Sequence, residues 1–177
     1  MRTSWLSYVQ SILNTRTLSR LRRNHGLEHA TLHVLAERYP RQSFAGHSNP
    51  DGFWLIGNLP TEAVQSAVEE GLRRLKNGER RLAVHPNCGT NLVVAGTIAG
   101  LAGASAMFGV GKRWQDKLER LPLAAALATF GLILAQPLAI RLQENVTTSG
   151  EPGNLEIVEV IPSQQGRFKT YRIVTIG

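Results

Sequence analysis

Two uncharged stretches constrain this chain more than any other feature. Residues 92–111 and 121–140 each run for 20 residues without a charged side chain. A helix rises about 1.5 Å per residue, so each stretch is long enough to cross the roughly 30 Å of hydrocarbon in a bilayer. The sequence therefore predicts a transmembrane helical hairpin over 92–140. The alternative is a pair of buried helices in a water-soluble domain, because many Ala and Gly residues make both stretches only moderately hydrophobic.

Small residues line both stretches and give the predicted helices a way to pack. Small side chains let helix backbones approach closely in a membrane. The pattern predicts pairing of the two helices, or of helices from two copies of the chain in a homo-oligomer through Gly and Ala faces. The residues concerned are Gly96 with Gly100, Ala99 with Gly103, and Ala124, Ala125 and Ala128.

A pattern of metal ligands precedes these stretches. His25, Glu28 and His29 lie at positions i, i+3 and i+4 of a helix predicted over 24–39, so their side chains project from one face. Two imidazoles one turn apart can hold a zinc-like ion, and an adjacent carboxylate can take a proton from a water molecule that the ion activates. The alternative is an ordinary polar helix face. His33 is predicted to be solvated or hydrogen-bonded rather than a ligand. The opposite face carries apolar residues, namely Leu27, Ala30 and Val34.

A second short segment also contains ligand-type residues. His85 and Cys88, the only cysteine of the chain, flank a Pro-Asn turn. Thiolate and imidazole are both zinc ligands, so the sequence predicts a site for a divalent transition metal, with zinc as the expected ion. The alternatives are a buried cysteine that acts as a small hydrophobe and a turn without ligands. The predicted ligands are His25, His29, His85 and Cys88.

The two motifs together carry a family resemblance. The run His25-Gly-Leu-Glu-His29, followed by His85-Pro-Asn-Cys-Gly-Thr just ahead of a long apolar stretch, resembles an uncharacterised family of bacterial integral membrane proteins. It is also similar to a larger bacterial membrane family with HGxEH and HPxCGT motifs, whose members are labelled metal-dependent enzymes. The resemblance covers residue 24 to the end of the chain. It implies a membrane protein with a metal-dependent activity, and it brings no substrate.

The motifs lead to several functional hypotheses. The first is a membrane-embedded, metal-dependent enzyme, a hydrolase at the membrane surface with Glu28 as the general base. The second is a non-catalytic membrane protein, because four protein ligands would close the site to water, as in structural zinc sites. A third is a thiol nucleophile at Cys88 with His85 as its base. A nucleic-acid module is disfavoured, since basic and aromatic residues do not alternate on one face.

Two β-hairpins and a helix are predicted outside the apolar stretches. His47, on the first strand, is a reserve metal ligand. The turns are Asn-Pro-Asp-Gly at 49–52 and a Pro- and Gly-marked segment that ends at Gly166. The predicted elements are strands at 43–48 and 53–58, a helix at 61–76, and strands at 155–161 and 168–176.

These elements define the predicted fold class, α+β: a small helix-plus-antiparallel-sheet domain with an inserted two-helix transmembrane hairpin. The N-terminal α+β part, with the HxxEH helix, is expected at 1–91. The transmembrane helical hairpin is expected at 92–140. A C-terminal β-hairpin at 141–177 is expected to pack on the N-terminal part and to close one sheet.

The net charge of the chain indicates which partners it can bind and where in the cell it lies. Twenty Lys and Arg against 13 Asp and Glu give a net charge of +7, which suits anionic phospholipid headgroups. A basic amphipathic stretch over 4–23 either rests on an anionic membrane surface or packs as an ordinary helix. No cleavable signal peptide is evident, and the arginines before residue 24 favour the cytoplasmic leaflet. We expect an integral protein of the bacterial inner membrane, with the lipid bilayer as its partner and both termini in the cytoplasm.

Overall fold

A computed structural model of the chain describes residues 5–165 and 168–177. This part of the chain contains five α-helices and a four-stranded antiparallel sheet, so the predicted α+β class is confirmed. The helices are α1 (Trp5–Leu13), α2 (Arg16–Arg38), α3 (Thr61–Lys76), α4 (Gly89–Ser105) and α5 (Trp114–Leu142). The strands are β1 (Ala45–Asn49), β2 (Gly52–Ile56), β3 (Glu156–Gln165) and β4 (Phe168–Ile176).

The chain divides into two compact units. The first, here called the sheet unit, comprises Met1–His85 and Glu144–Gly177, and the second, the helix unit, comprises Pro86–Gln143. In the sheet unit the strand order is β1-β2-β4-β3. The N-terminal and C-terminal hairpins therefore join into one sheet through β2 and β4, as the sequence predicts. Gly166, the predicted turn residue of the second hairpin, lies outside the described residues.

One face of the sheet forms the core with α2 and α3. Phe53 and Leu55 alternate with exposed residues along β2, and their partners in β4 are Ile173 and Tyr171. All four side chains are at most 1% exposed. Burying one such side chain stabilises a fold by about 1.5–3 kcal/mol, so this face anchors the helices that carry the candidate site. Leu27, Ala30 and Val34 of α2 lie in the same core, as the helical spacing predicts.

Helix α2 begins earlier than the sequence indicates. The sequence predicts a helix that begins at residue 24, but the helix already begins at Arg16. Asn24 is fully buried, and its side-chain amide donates hydrogen bonds to the carbonyl oxygens of Asn49 and Pro50. It also accepts a hydrogen bond from the Thr175 hydroxyl. Asn24 therefore satisfies the backbone carbonyls of the β1–β2 turn. Its side chain is engaged by these distant segments and does not cap the start of a helix.

In the helix unit, α4 and α5 pack antiparallel through small residues. A Cβ atom at Gly103 would lie 3.3 Å from the Ala128 side chain, and one at Gly131 would lie 2.9 Å from that of Ala102. Backbones this close need small residues on both helices. By contrast, Gly96 and Gly100 have no atoms within 4 Å of such a position.

The two predicted transmembrane spans differ in the structure. Helix α5 and the π-helical turn after it form one continuous helix, Trp114–Thr147, whose 34 residues are long and apolar enough to cross a membrane. Helix α4 is apolar but has only 17 residues, and 106–113 form a turn and irregular structure rather than helix. The prediction of two full helical spans is thus wrong for the first. Gly109 adopts a positive φ of 73°, which stops a helix from continuing through this segment.

Candidate metal centre

Four imidazole rings lie side by side in the sheet unit. Ring centroids are 4.4 Å apart for His25 and His29, 5.6 Å for His29 and His85, and 5.0 Å for His85 and His33. Three of these residues follow each other at four-residue spacing on α2, so they share one side of the helix. We call the four residues the histidine row. The fold brings His85 to this row from the segment after α3.

His29 is held in one orientation by a backbone carbonyl. Its Nδ1 atom lies 2.7 Å from the carbonyl oxygen of Ala83, and the side chain is only 2% exposed. A carbonyl can only accept, so Nδ1 carries the proton and Nε2 carries the lone pair. Metal-binding histidines in proteins are oriented by this kind of hydrogen bond. His29 is thus presented with Nε2 as its ligand nitrogen.

His25 has the same arrangement with a different carbonyl. Its Nδ1 atom lies 3.0 Å from the carbonyl oxygen of Thr147, the last residue of the π-helical turn Gln143–Thr147. Nδ1 therefore carries the proton here as well. π-helical turns frequently occur at functional sites, where they expose backbone groups that a regular helix would pair. The sequence gives no local sign of either carbonyl, because both acceptors are backbone atoms from distant segments.

The packing around Gly26 explains why the motif has a glycine at this position. A Cβ atom at this position would clash with the carbonyl oxygen of Ser149 and would also meet the Ala83 side chain at 3.2 Å. The Ser149 amide donates a hydrogen bond to the carbonyl of Arg22, so the segment after Thr147 lies directly on α2. Gly26 thus makes room for the backbone that orients His25.

Three of the four predicted ligands form a group that could hold a metal ion. The ligand atoms of His25, His29 and Cys88 all lie within 4.8 Å of one another. Cys88, three residues after His85, is 7% exposed and immediately precedes α4. Two imidazoles and a thiolate suit zinc or a similar transition metal. Among the described residues this group does not include His85 or Glu28.

Glu28 is a buried carboxylate directed towards strand β1. It is 4% exposed and accepts a hydrogen bond from the Ser48 hydroxyl. A Cβ atom at Gly46 would clash with the Glu28 carboxylate, so this glycine provides the space that the carboxylate occupies. Sequence reasoning missed both residues. The sequence pattern that could have identified them is a pair of small residues, Gly and Ser, at alternate positions of one strand. Such a pair leaves space on one face of the strand for another group to approach closely.

The reserve ligand His47 does not join the histidine row. It is exposed and pairs with Trp54 of β2, on the face of β1 opposite to Gly46 and Ser48. Because successive strand residues point to opposite faces, His47 faces away from Glu28 and α2. The reserve assignment is therefore wrong.

Three of the four arginines that precede the histidines on α2 donate hydrogen bonds to the C-terminal part of the chain. The guanidinium groups of Arg20 and Arg22 donate to the carbonyl oxygens of Thr175 and Asn145. Arg23 donates to the Asn154 side chain at 2.7 Å. Burial lowers the pKa of Arg22 below its usual value, and burial together with the charge of Arg20 lowers the pKa of Arg23. These arginines hold the C-terminal segment on α2 and leave positive charge beside the site.

Comparisons with other proteins assign the chain to one family. Residues 20–160 match the model of a domain of unknown function, DUF6391. The chain is also 36% identical over 172 residues to an uncharacterized protein of Picosynechococcus sp. (strain ATCC 27264 / PCC 7002 / PR-6), with 84% of each chain covered. No solved structure matches the chain. The expected resemblance to an uncharacterised bacterial family is therefore confirmed, and the chain belongs to the DUF6391 family.

Proposed function

We propose that this protein is a membrane-embedded, metal-dependent hydrolase whose ion, expected to be zinc, is held by His25, His29 and Cys88. One observation carries the proposal: both histidines donate Nδ1–H to backbone carbonyls and so present Nε2 for binding, and His25, His29 and Cys88 each offer a ligand atom within 4.8 Å of the other two. Carbonyls fix the ring and its tautomer before any ion binds, which is the usual outer support of a metal-binding histidine.

A group of three ligands favours catalysis over a structural role. Zinc is usually four-coordinate, and three protein ligands leave one position for water or substrate. A bound zinc ion would supply Lewis acidity at that position. Glu28, one turn from His25 on α2, is the proposed general base. The hydrogen bond from the Ser48 hydroxyl holds one carboxylate oxygen in place, and burial keeps the carboxylate away from bulk solvent.

The apolar surface of the helix unit supports a location in the bilayer. No residue of α4 is buried, and only Gly131, Ala135 and Ala139 of α5 are. Large apolar side chains are instead widely exposed, including Leu101 at 69%, Phe130 at 63% and Leu134 at 72%. So much exposed apolar surface is stable in lipid and unfavourable in water. We propose that both helices insert into the inner membrane and that Arg-rich segments contact anionic headgroups.

The second candidate is a structural metal site closed by His85. The His85 ring lies 5.6 Å from that of His29, so a small shift of the segment after Ala83 would add a fourth ligand. Four protein ligands leave no position for water. Such a site would stabilise the fold without turnover.

X-ray absorption of the zinc-loaded protein separates the two candidates. A catalytic site should show two nitrogen ligands, one sulfur and one light atom that the protein does not supply. Mass spectrometry of a bacterial lipid extract and of membrane peptides, before and after incubation, should then show a product that Glu28→Gln abolishes while its zinc content is unchanged. Three nitrogen ligands with sulfur, and no product from either protein, would establish the structural site instead.

A further inference from the structure

His33 lies beside the proposed ligand group without belonging to it. Its Nε2 atom lies 2.9 Å from the carbonyl oxygen of Val84, and its ring meets the ring of His85 edge-on at 5.0 Å between centroids. The carbonyl accepts, so His33 carries its proton on Nε2. This is the opposite tautomer from His25 and His29.

His29 and His33 together hold two consecutive carbonyls. They are one helical turn apart on α2, and they donate to Ala83 and Val84 respectively. Ala83 ends the 3₁₀ turn Arg80–Ala83 and is 1% exposed, so this backbone lies flat against α2. The same backbone leads directly into His85 and, three residues later, into Cys88. A displacement of the Val84 carbonyl would therefore also move the carbonyl that orients His29.

We infer that His33 is a positioning residue of the metal centre. Its Nε2–H holds the Val84 carbonyl and keeps the Ala83 carbonyl aligned with His29, and its ring supports the His85 ring through their edge-on contact. The effect on metal affinity rests on the proposed function, whereas the hydrogen-bond arrangement itself does not. Removal of an outer hydrogen-bond partner typically weakens metal binding by about 10–100-fold.

A cobalt titration of purified full-length protein tests the inference with three variants. His33→Phe keeps an aromatic ring and removes the donor, His33→Gln places an amide N–H near the position of Nε2, and His47→Phe is the control on the exposed face of β1. We expect about 10-fold or greater loss of affinity in His33→Phe. The Gln variant and the control should remain close to wild type, with an unchanged cobalt absorption spectrum.

Two results would overturn the inference. If His33→Phe binds cobalt with wild-type affinity, the contact between His33 and the Val84 carbonyl does not support metal binding. Weak binding and an altered spectrum in His33→Gln would show that His33 coordinates the ion itself. If the wild type binds no cobalt, the proposed function fails, and the hydrogen-bond arrangement is then judged in metal-free protein.

Nitrogen-15 NMR of metal-free protein gives that second measurement. At about pH 8, above the usual histidine pKa of about 6.5, the wild type should show Nδ1–H on His29 and Nε2–H on His33. In His33→Phe, the His29 signal should shift towards a mixture of tautomers. Should His33→Phe fail to fold, the wild-type tautomers and the metal affinity of the Gln variant still test the inference. Nδ1–H on His33 in the wild type contradicts the inference outright.

Discussion

The imidazole of His25 donates a hydrogen bond to the carbonyl oxygen of Thr147, 122 residues later in the chain, at 3.0 Å. A second histidine one turn along α2, His29, makes the equivalent bond to Ala83, 54 residues later. Two backbone segments from opposite sides of the apolar stretches thus converge on one helix and set the same tautomer in both rings. This common orientation leads to the first prediction.

Removal of an oriented histidine should abolish metal binding. Wild-type protein should bind about one equivalent of zinc or cobalt, and His29→Ala should lose affinity by more than the roughly 100-fold typical of an outer hydrogen-bond partner. Elemental analysis after gel filtration measures the amount of metal bound per protein chain. His47→Ala is the matched control, because His47 is exposed on the outer face of β1. Equal metal content in wild type and His29→Ala would rule out the proposed centre.

Gly26→Ala should destabilise the sheet unit. The added methyl group would clash with the Ser149 carbonyl, and backbone on both sides must move to accept it. We expect a loss of about 1–3 kcal/mol in the free energy of unfolding, together with weaker metal binding because the Thr147 carbonyl moves with Ser149. Chemical denaturation in detergent measures the loss. Gly96→Ala, with no atom within 4 Å of the new methyl group, should show none.

Gly46 and Glu28 should be energetically coupled. Gly46→Ala alone should cost about 1–3 kcal/mol, since its methyl group would occupy the space of the Glu28 carboxylate. In a Glu28→Ala background that space is vacant, so the same substitution should cost less. A double-mutant cycle should yield a coupling energy of about 0.5–3 kcal/mol. Strict additivity would mean that the carboxylate lies elsewhere in solution.

The protein should remain in the membrane after washing with high salt or alkaline carbonate. Its exposed apolar helices hold it by hydrophobic burial, which salt does not weaken, whereas attraction between arginines and headgroups is screened. Immunoblots of the pellet and the supernatant measure the partition, with a peripheral protein as the control. Recovery in the carbonate supernatant would show that the apolar surface is covered by protein rather than lipid.

Sidedness should follow the arginines of α2. In a Cys88→Ser background, a cysteine at Gln115, in the first turn of α5, should react with an impermeant reagent on intact cells. A cysteine at Gln164 in β3 should react only after permeabilisation, because the sheet unit is proposed to lie in the cytoplasm. Both positions are exposed, so accessibility alone does not separate them. The reverse labelling pattern would invert the proposed topology.

Local periodicity was sufficient for several elements. The predicted helix at 61–76 coincides with α3 (Thr61–Lys76), and the last predicted strand coincides with β4 (Phe168–Ile176). In both, apolar residues recur at a single period between clear breaks, and the buried face is the one that this period specifies. Helix α4 was mispredicted because charge and hydropathy alone do not reveal that the chain tightens into turns after Ser105, with Gly109 at a positive φ.

The sequence by itself determined the α+β class, the apolar helix of α5 and the identity of the ligand-type residues, because these depend on composition and short-range spacing. Only the tertiary structure decided which ligands meet. It grouped His25, His29 and Cys88, turned His47 away, brought His33 beside His85 and placed Glu28 against Gly46. The physical reason is that these positions depend on backbone carbonyls and on close approaches between distant segments. Every residue carries the same carbonyl group, so no residue type marks the one that orients a histidine.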